Sequence, residues 1–132
     1  MIRLRAPAKL NLYLRVISKR PDGYHEIETV FERVDLADEL TFEAHPTDLK
    51  LTCSDPDLPC GDDNLVVKAA RLLQAASDTS TGARIHLVKR IPIAAGLGGG
   101  SSDAAATLQG LNQLWGLRWP RARLVEMAAR LG

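Results

Sequence analysis

The stretch Pro92-Ile-Ala-Ala-Gly96-Leu-Gly98-Gly99-Gly100-Ser101-Ser102-Asp103-Ala-Ala-Ala106 constrains this chain most, because a glycine loop runs straight into a helix-forming run. Glycine at 96, 98, 99 and 100 removes Cβ hindrance, so consecutive N–H groups can turn toward one anion. The arrangement costs folding entropy that a purely structural loop has little reason to incur. Ser101, Ser102 and Asp103 are good N-cap types, and the alanines after them favour helix. The loop is therefore expected to deliver a phosphate to a helix N-terminus, where unpaired N–H groups and the positive dipole end meet it. A flexible linker or a close-packed turn is the plain alternative, but an apolar strand pattern on one side and an alanine-rich helix on the other do not suit a linker.

Spacing excludes two familiar phosphate loops. Walker A requires a Lys directly after its last glycine, and none is present; the dinucleotide fingerprint fails because the fifth position after Gly96 is Ser101. Composition excludes other classes. A net charge of +1 gives no global field for nucleic acid or an anionic membrane, so an anionic ligand must be held locally. No apolar run approaches the ~18 residues of a membrane span, and no signal-peptide pattern opens the chain, which points to the cytoplasm. Cys53 and Cys60 have no second pair for zinc and read as free thiols.

The rest reads as one α+β domain with strands clustered early, then helix, strand, helix and helix. Ile2 to Pro7 is a short strand. Lys9 to Val16 alternates strictly, with Leu10, Leu12, Leu14 and Val16 inward and Lys9, Asn11, Tyr13 and Arg15 on the other face. Lys9 and Asn11 could hold an oxyanion and orient a hydroxyl, or could belong to a solvated polar face. Pro21-Asp22-Gly23 is a turn before Tyr24-His25, and with His45 and His86 unclustered a metal site at His25 is not supported. Ile27 to Leu36 suits a strand covered on both faces. Leu40, Phe42 and Ala44 point inward from another strand, and Leu49, Leu51 and Cys53 form a further one. After a loop over Ser54 to Asp63, Asp62-Asp63-Asn64 offers caps for a helix with the stripe Leu65, Ala69, Leu72, Leu73 and Ala76. Ala83 to Lys89 is a strand leading to the glycine loop. The helix after the loop should bury Ala104, Ala105, Leu108, Leu111 and Trp115 and end at Gly116. Pro120 opens a last helix, with Leu124, Met127, Ala128 and Leu131 on one side.

Pro92 to Ala106 resembles the phosphate-binding motif of the GHMP kinases, P-x-x-x-G-L-G-x-S-S-[AD]-A. Pro7-Ala-Lys-Leu-Asn-Leu12, Arg20-Pro-Asp-Gly-Tyr-His25, Asp63-Asn-Leu65 and the triple glycine resemble the branch of that family acting on cytidine diphosphate-linked methylerythritol in the non-mevalonate route to isoprenoid precursors. The resemblance runs from about Ile2 to Gly132 and implies the family's N-terminal domain, of ribosomal protein S5 domain 2-like fold, over residues 1–132. It implies an ATP- and Mg²⁺-dependent kinase for a small-molecule alcohol, with no nucleic acid or membrane partner. Lys9 and Asn11 match residues beside the phosphorylated hydroxyl, and Tyr24 and His25 match readers of the cytosine end. Asn64 and Leu65 match adenine contacts, and Lys89 matches a nucleotide-site lysine. Pro92, Gly96, Leu97, Gly98, Gly99, Gly100, Ser101 and Ser102 match the motif that wraps the ATP phosphates, with Ser101 or Ser102 available to Mg²⁺. Asp103 is expected to cap its helix and not to act as a base. The family's catalytic Asp lies in a D-V-P-x-F segment beyond the last helix, and a ferredoxin-like domain follows it. Neither falls within this sequence, so the chain is expected to be an incomplete N-terminal domain, inactive alone. Homoserine or mevalonate as substrate, an inactive nucleotide-binding module and, on fold analogy only, an RNA-associated domain are the alternatives.

Overall fold

The computed structural model describes residues 1–7, 36–91 and 99–131, with the backbone alone at Gly99 and Ser101. Among these residues, strands β1 (Ile2–Pro7), β2 (Ala37–His45), β3 (Leu49–Cys53) and β4 (Gly82–Val88) form one sheet in the order β1-β2-β4-β3. β1 and β2, like β2 and β4, pair antiparallel. β3 lies parallel to β4, which demands a crossover, and helix α1 (Leu65–Ala76) supplies it. Helices α2 (Gly99–Leu114) and α3 (Arg121–Leu131) follow, in the α+β order read from the sequence.

Period two sorts the sheet. Leu40 pairs with Leu87 and Phe42 with Ile85, all fully or almost fully buried, while Thr41, Glu43, Arg84 and His86 take the opposite face. On the buried face α2 packs against β1, β2 and α1, and α3 packs against α2 and α1. Close approach of α2 depends on Gly110. A Cβ there would overlap the Phe42 ring, with ring atoms Cδ2 and Cζ only 2.7 Å away. Gly116 adopts φ +64° just past α2, and Leu117 N–H closes back to the Asn112 carbonyl at 3.0 Å. Asn112 then holds the next connection, accepting from Trp119 N–H at 2.9 Å and donating to the Trp119 carbonyl at 3.1 Å. Pro120 sets the start of α3, whose Leu124 and Met127 are buried and whose Ala128 and Leu131 are half-buried, as expected. Cys53 and Cys60 are free.

Some sequence expectations shift. Ala44 shares the parity of Leu40 and Phe42 yet is exposed, because alternation fixes a face but not how far the helical layer extends along it. In α1 the buried residues are Val66, Val67, Ala69, Ala70 and Leu73; Leu65 and Leu72 are half-buried and Ala76 is exposed. That helix meets both β3 and α2, so its buried arc is wider than one stripe and turned toward Val66 and Ala70. In α2, Ala104, Leu108 and Leu111 are buried, but Ala105 is exposed and Trp115 is half-buried just beyond the helix. The expected strands over residues 9–16 and 27–36 fall, but for the last residue, outside the described residues.

Candidate functional site

The helix starts meet the end of β4 at a cleft of about 240 Å³. Asn64 caps α1: its Oδ1 accepts from Val66 N–H at 2.8 Å, and its Nδ2 donates to the Pro59 carbonyl at 2.8 Å, drawing the preceding loop onto the helix. Ser54 fixes the other end of that loop. Its N–H donates to the Leu87 carbonyl and its Oγ accepts from Lys89 N–H, both at 2.9 Å. Leu58, Pro59, Leu65, Val66 and Leu87 give the cleft apolar walls, and Asp63, Asn64, Lys89, Gly100 and Asp103 give it polar ones.

A buried charge array lies against this cleft. Lys89 Nζ donates to Asp38 Oδ2 at 2.8 Å and to Asp103 Oδ2 at 3.0 Å. Asp38 Oδ1 accepts two backbone N–H groups, from Arg90 at 2.7 Å and Ile91 at 2.9 Å. All three side chains are almost fully withdrawn from water, and Asp103 Oδ1 has no hydrogen-bond partner. Burial pushes the Asp103 carboxyl up, the adjacent Asp38 adds to it, and Lys89 opposes without prevailing, leaving it at about 8. Burial also pushes Asp38 upward, but the neighbouring Asp103 carboxyl, the two N–H groups and Lys89 hold it below the ordinary carboxylate value. Burial would lower Lys89, and the two carboxylates raise it instead. The array therefore holds one carboxyl pushed down and one pushed up on either side of a lysine ammonium.

Of the residues expected at the site, Asn64, Leu65, Lys89 and Gly100 come together around the cleft. Gly99, Ser101 and Ser102 lie in the first turn of α2. Lys9, Asn11, Tyr24, His25, Pro92, Gly96, Leu97 and Gly98 lie outside the described residues. Asp103 is not a cap: the glycines themselves enter the first turn, so α2 begins at Gly99 and Asp103 projects inward from within the helix to Lys89. Asp38 was not singled out from sequence. Extending the inward parity of Leu40 and Phe42 back by one step would have reached it, since a carboxylate on an apolar face must find partners.

A four-stranded sheet with a βαβ crossover, a cleft where the starts of two helices meet, and a glycine-rich stretch of sequence between β4 and α2 characterise this α+β domain. Residues 64–132 match the family described as GHMP kinases N terminal domain, and the chain belongs to that family. Among curated relatives it is 55% identical over 134 residues to the 4-diphosphocytidyl-2-C-methyl-D-erythritol kinase of Synechococcus sp. (strain CC9605), covering 100% of this chain and 44% of that protein. It is 54% identical over 128 residues to the kinase of the same name from Salinibacter ruber (strain DSM 13855 / M31), covering 96% of this chain and 44% of the relative. The chain thus spans less than half the length of these relatives. A crystal structure of 4-(cytidine 5'-diphospho)-2C-methyl-D-erythritol kinase superposes with a TM-score of 0.65 at 31% identity, covering 99% of this chain and 46% of the other. Homoserine kinase from Cytophaga hutchinsonii shares the fold, with a TM-score of 0.66 at 23% identity over 72% of this chain and 32% of that one. Among the described residues no helix is long and apolar enough to cross a membrane, and no group of three or more His, Cys, Asp or Glu could hold a metal.

Proposed function

We propose that the protein to which this chain belongs transfers a phosphoryl group from ATP to the 2-hydroxyl of 4-diphosphocytidyl-2-C-methyl-D-erythritol, a step toward isoprenoid precursors in the cytoplasm. The observation that carries the reading is the convergence of Asn64, Leu65, Lys89 and Gly100 on one cleft beside the start of α2. Its apolar walls suit the faces of a planar base, and the glycine-rich segment Gly96 to Gly100 feeds the helix terminus that suits phosphate. In this reading Gly96, Gly98, Gly99, Gly100, Ser101 and Ser102 cradle the phosphates. Lys9 neutralises charge between the transferring group and the acceptor oxygen, Asn11 orients the hydroxyl, and Tyr24 and His25 read the cytosine end.

The donor set fits Mg²⁺ only in a limited way. Asp103 Oδ2 is engaged by Lys89, and the hydroxyl of Ser101 or Ser102 would be this chain's contribution to holding the ion. Bound with the nucleotide, Mg²⁺ would supply charge neutralisation on the phosphates.

A coupled ADP-release assay on the intact protein tests the reading. Turnover with 4-diphosphocytidyl-2-C-methyl-D-erythritol, and none with homoserine or mevalonate, is the expected result. Turnover with either of the latter alone would move the protein to another branch, and failure to bind ATP would remove the kinase reading.

A further inference from the structure

Cys53 and Cys60 stand on the two legs of one tight turn. Leu58 N–H closes back to the Asp55 carbonyl at 3.2 Å, which sets Ser54 opposite Pro59 and, one step further out, Cys53 opposite Cys60. Each leg is tied down. Cys53 ends β3 in register with Leu87, and Asn64 Nδ2 donates to the Pro59 carbonyl at 2.8 Å. Cys53 Sγ accepts from Asp55 N–H at 3.5 Å, and Cys60 Sγ donates to the Leu58 carbonyl at 3.6 Å. Both side chains pack on the apolar core, yet both are only half-buried and within reach of a small reagent. Burial raises the Cys60 thiol above its ordinary value, and the nearby Cys53 adds to that rise.

A single cysteine here would pack as a small apolar residue. Two on facing legs can do more. Facing residues of antiparallel legs stand about 4.5–5.5 Å apart at Cα, within the roughly 4.4–6.8 Å that a disulfide requires. The turn also carries Leu58 and Pro59, which wall the cleft, and Asn64 joins Pro59 to the cap of α1. An S–S bond must draw Cys60 off the Leu58 carbonyl and shift the adjoining Pro59, whose ring leaves its φ no freedom to absorb the movement.

We infer that Cys53 and Cys60 form a redox modification site, a reversible disulfide made by exchange with an external disulfide, RSSR, that displaces one wall of the cleft. One cysteine, as its thiolate, attacks a sulfur of RSSR and expels RS⁻, which takes up the proton the cysteine lost. The second, as its thiolate, attacks the protein-bound sulfur of the mixed disulfide, closes the Cys53–Cys60 bond and expels the second RS⁻, which takes up the second proton. The pair loses two electrons and RSSR becomes two RSH. Resting on the kinase reading above, the oxidised form holds ATP less tightly.

The test equilibrates the intact protein with oxidised glutathione, blocks free thiols by alkylation and digests with trypsin. Both cysteines travel on one peptide, Leu51 to Lys68, because no Lys or Arg lies between its ends. We expect that peptide to be lighter by two hydrogens and closed to alkylation, and to revert under dithiothreitol. Calorimetry on the same samples should show the dissociation constant for ATP about tenfold higher in the oxidised form and restored by reduction. Cys60→Ser keeps a donor for the Leu58 carbonyl and should bind ATP as the reduced wild type does, with or without oxidised glutathione. A peptide left unmodified, or carrying glutathione adducts without the internal bond, would overturn the site. An internal bond with unchanged ATP affinity would overturn its action on the cleft. If the reduced wild-type protein does not bind ATP, the kinase reading fails, and the peptide mass alone still decides whether the disulfide forms.

Discussion

The carboxylate of Asp38 holds the backbone N–H of Ile91 at 2.9 Å across 53 positions of sequence. β4 ends at Val88, so the N–H groups of Arg90 and Ile91 have left the ladder and need other partners; Asp38, buried at the start of β2, is that partner for both. Replacing Asp38 by Ala would strand two donors and the Lys89 ammonium together. Asp38→Ala is expected to cost about 3–5 kcal/mol, the range for breaking a buried ion pair from one side. Urea denaturation measures it, and a loss no larger than that of a surface Asp→Ala substitution would contradict the partner list.

Asp103 predicts a pH dependence with a definite sign. Its carboxyl is raised from the ordinary 3.8 to about 8 in the folded chain, chiefly by burial and then by Asp38. Between those values the folded chain keeps a proton that the unfolded chain has released, so stability falls as pH rises through this window and levels off above it. Asp103→Asn fixes a neutral side chain of the same shape and should flatten the slope. Thermal melts at about pH 5.5 and about pH 8.5 should show the wild type losing more than the variant, and equal losses would remove the raised carboxyl.

Much of this layout was legible from the residues. Alternation marked β2 through Leu40 and Phe42, and Asn64 was in the set of expected caps and is the cap found. What escaped was set by contacts between distant segments. The buried arc of α1 depends on α2 lying beside it, which no window of Leu65 to Ala76 contains. Capping chemistry placed the start of α2 too late, since Ser101, Ser102 and Asp103 are all good caps, whereas the folded chain draws Gly99 and Gly100 into the first turn. Asp38 and Asp103 form a pair only through Lys89, and sequence spacing carries no trace of that meeting.

Gly110 tests the packing of helix on sheet. Intrinsic propensity favours Ala over Gly within a helix by about 1 kcal/mol. The methyl would nevertheless overlap the ring of Phe42, which is fully buried and has no free space to rotate into. Overpacking of this kind costs about 1–3 kcal/mol, so Gly110→Ala should destabilise on balance. A rise in denaturation midpoint would mean that α2 stands off the sheet further than described.

Gly100 makes the opposite case, and it separates stability from ligand affinity. It is exposed in the first turn of α2 and lines the cleft, and a Cβ there would stand 3.2 Å from Leu65 Cδ1, the end of a flexible side chain that can yield a few tenths of an ångström. Backbone strain adds no further obstacle, since the residue lies within a regular helix, and Val is the better helix former of the two. Gly100→Val should therefore leave the melting temperature unchanged or slightly raised. Its isopropyl group, however, would take up space in a cleft of about 240 Å³, beside Leu65 and the start of α2. A ligand seated against Leu65 would lose both room and close approach to the helix N–H groups, so the dissociation constant for ATP should rise by about tenfold or more. Calorimetry beside a thermal melt reads both quantities on one sample, and a stable variant with wild-type ATP affinity would place the nucleotide somewhere other than this cleft.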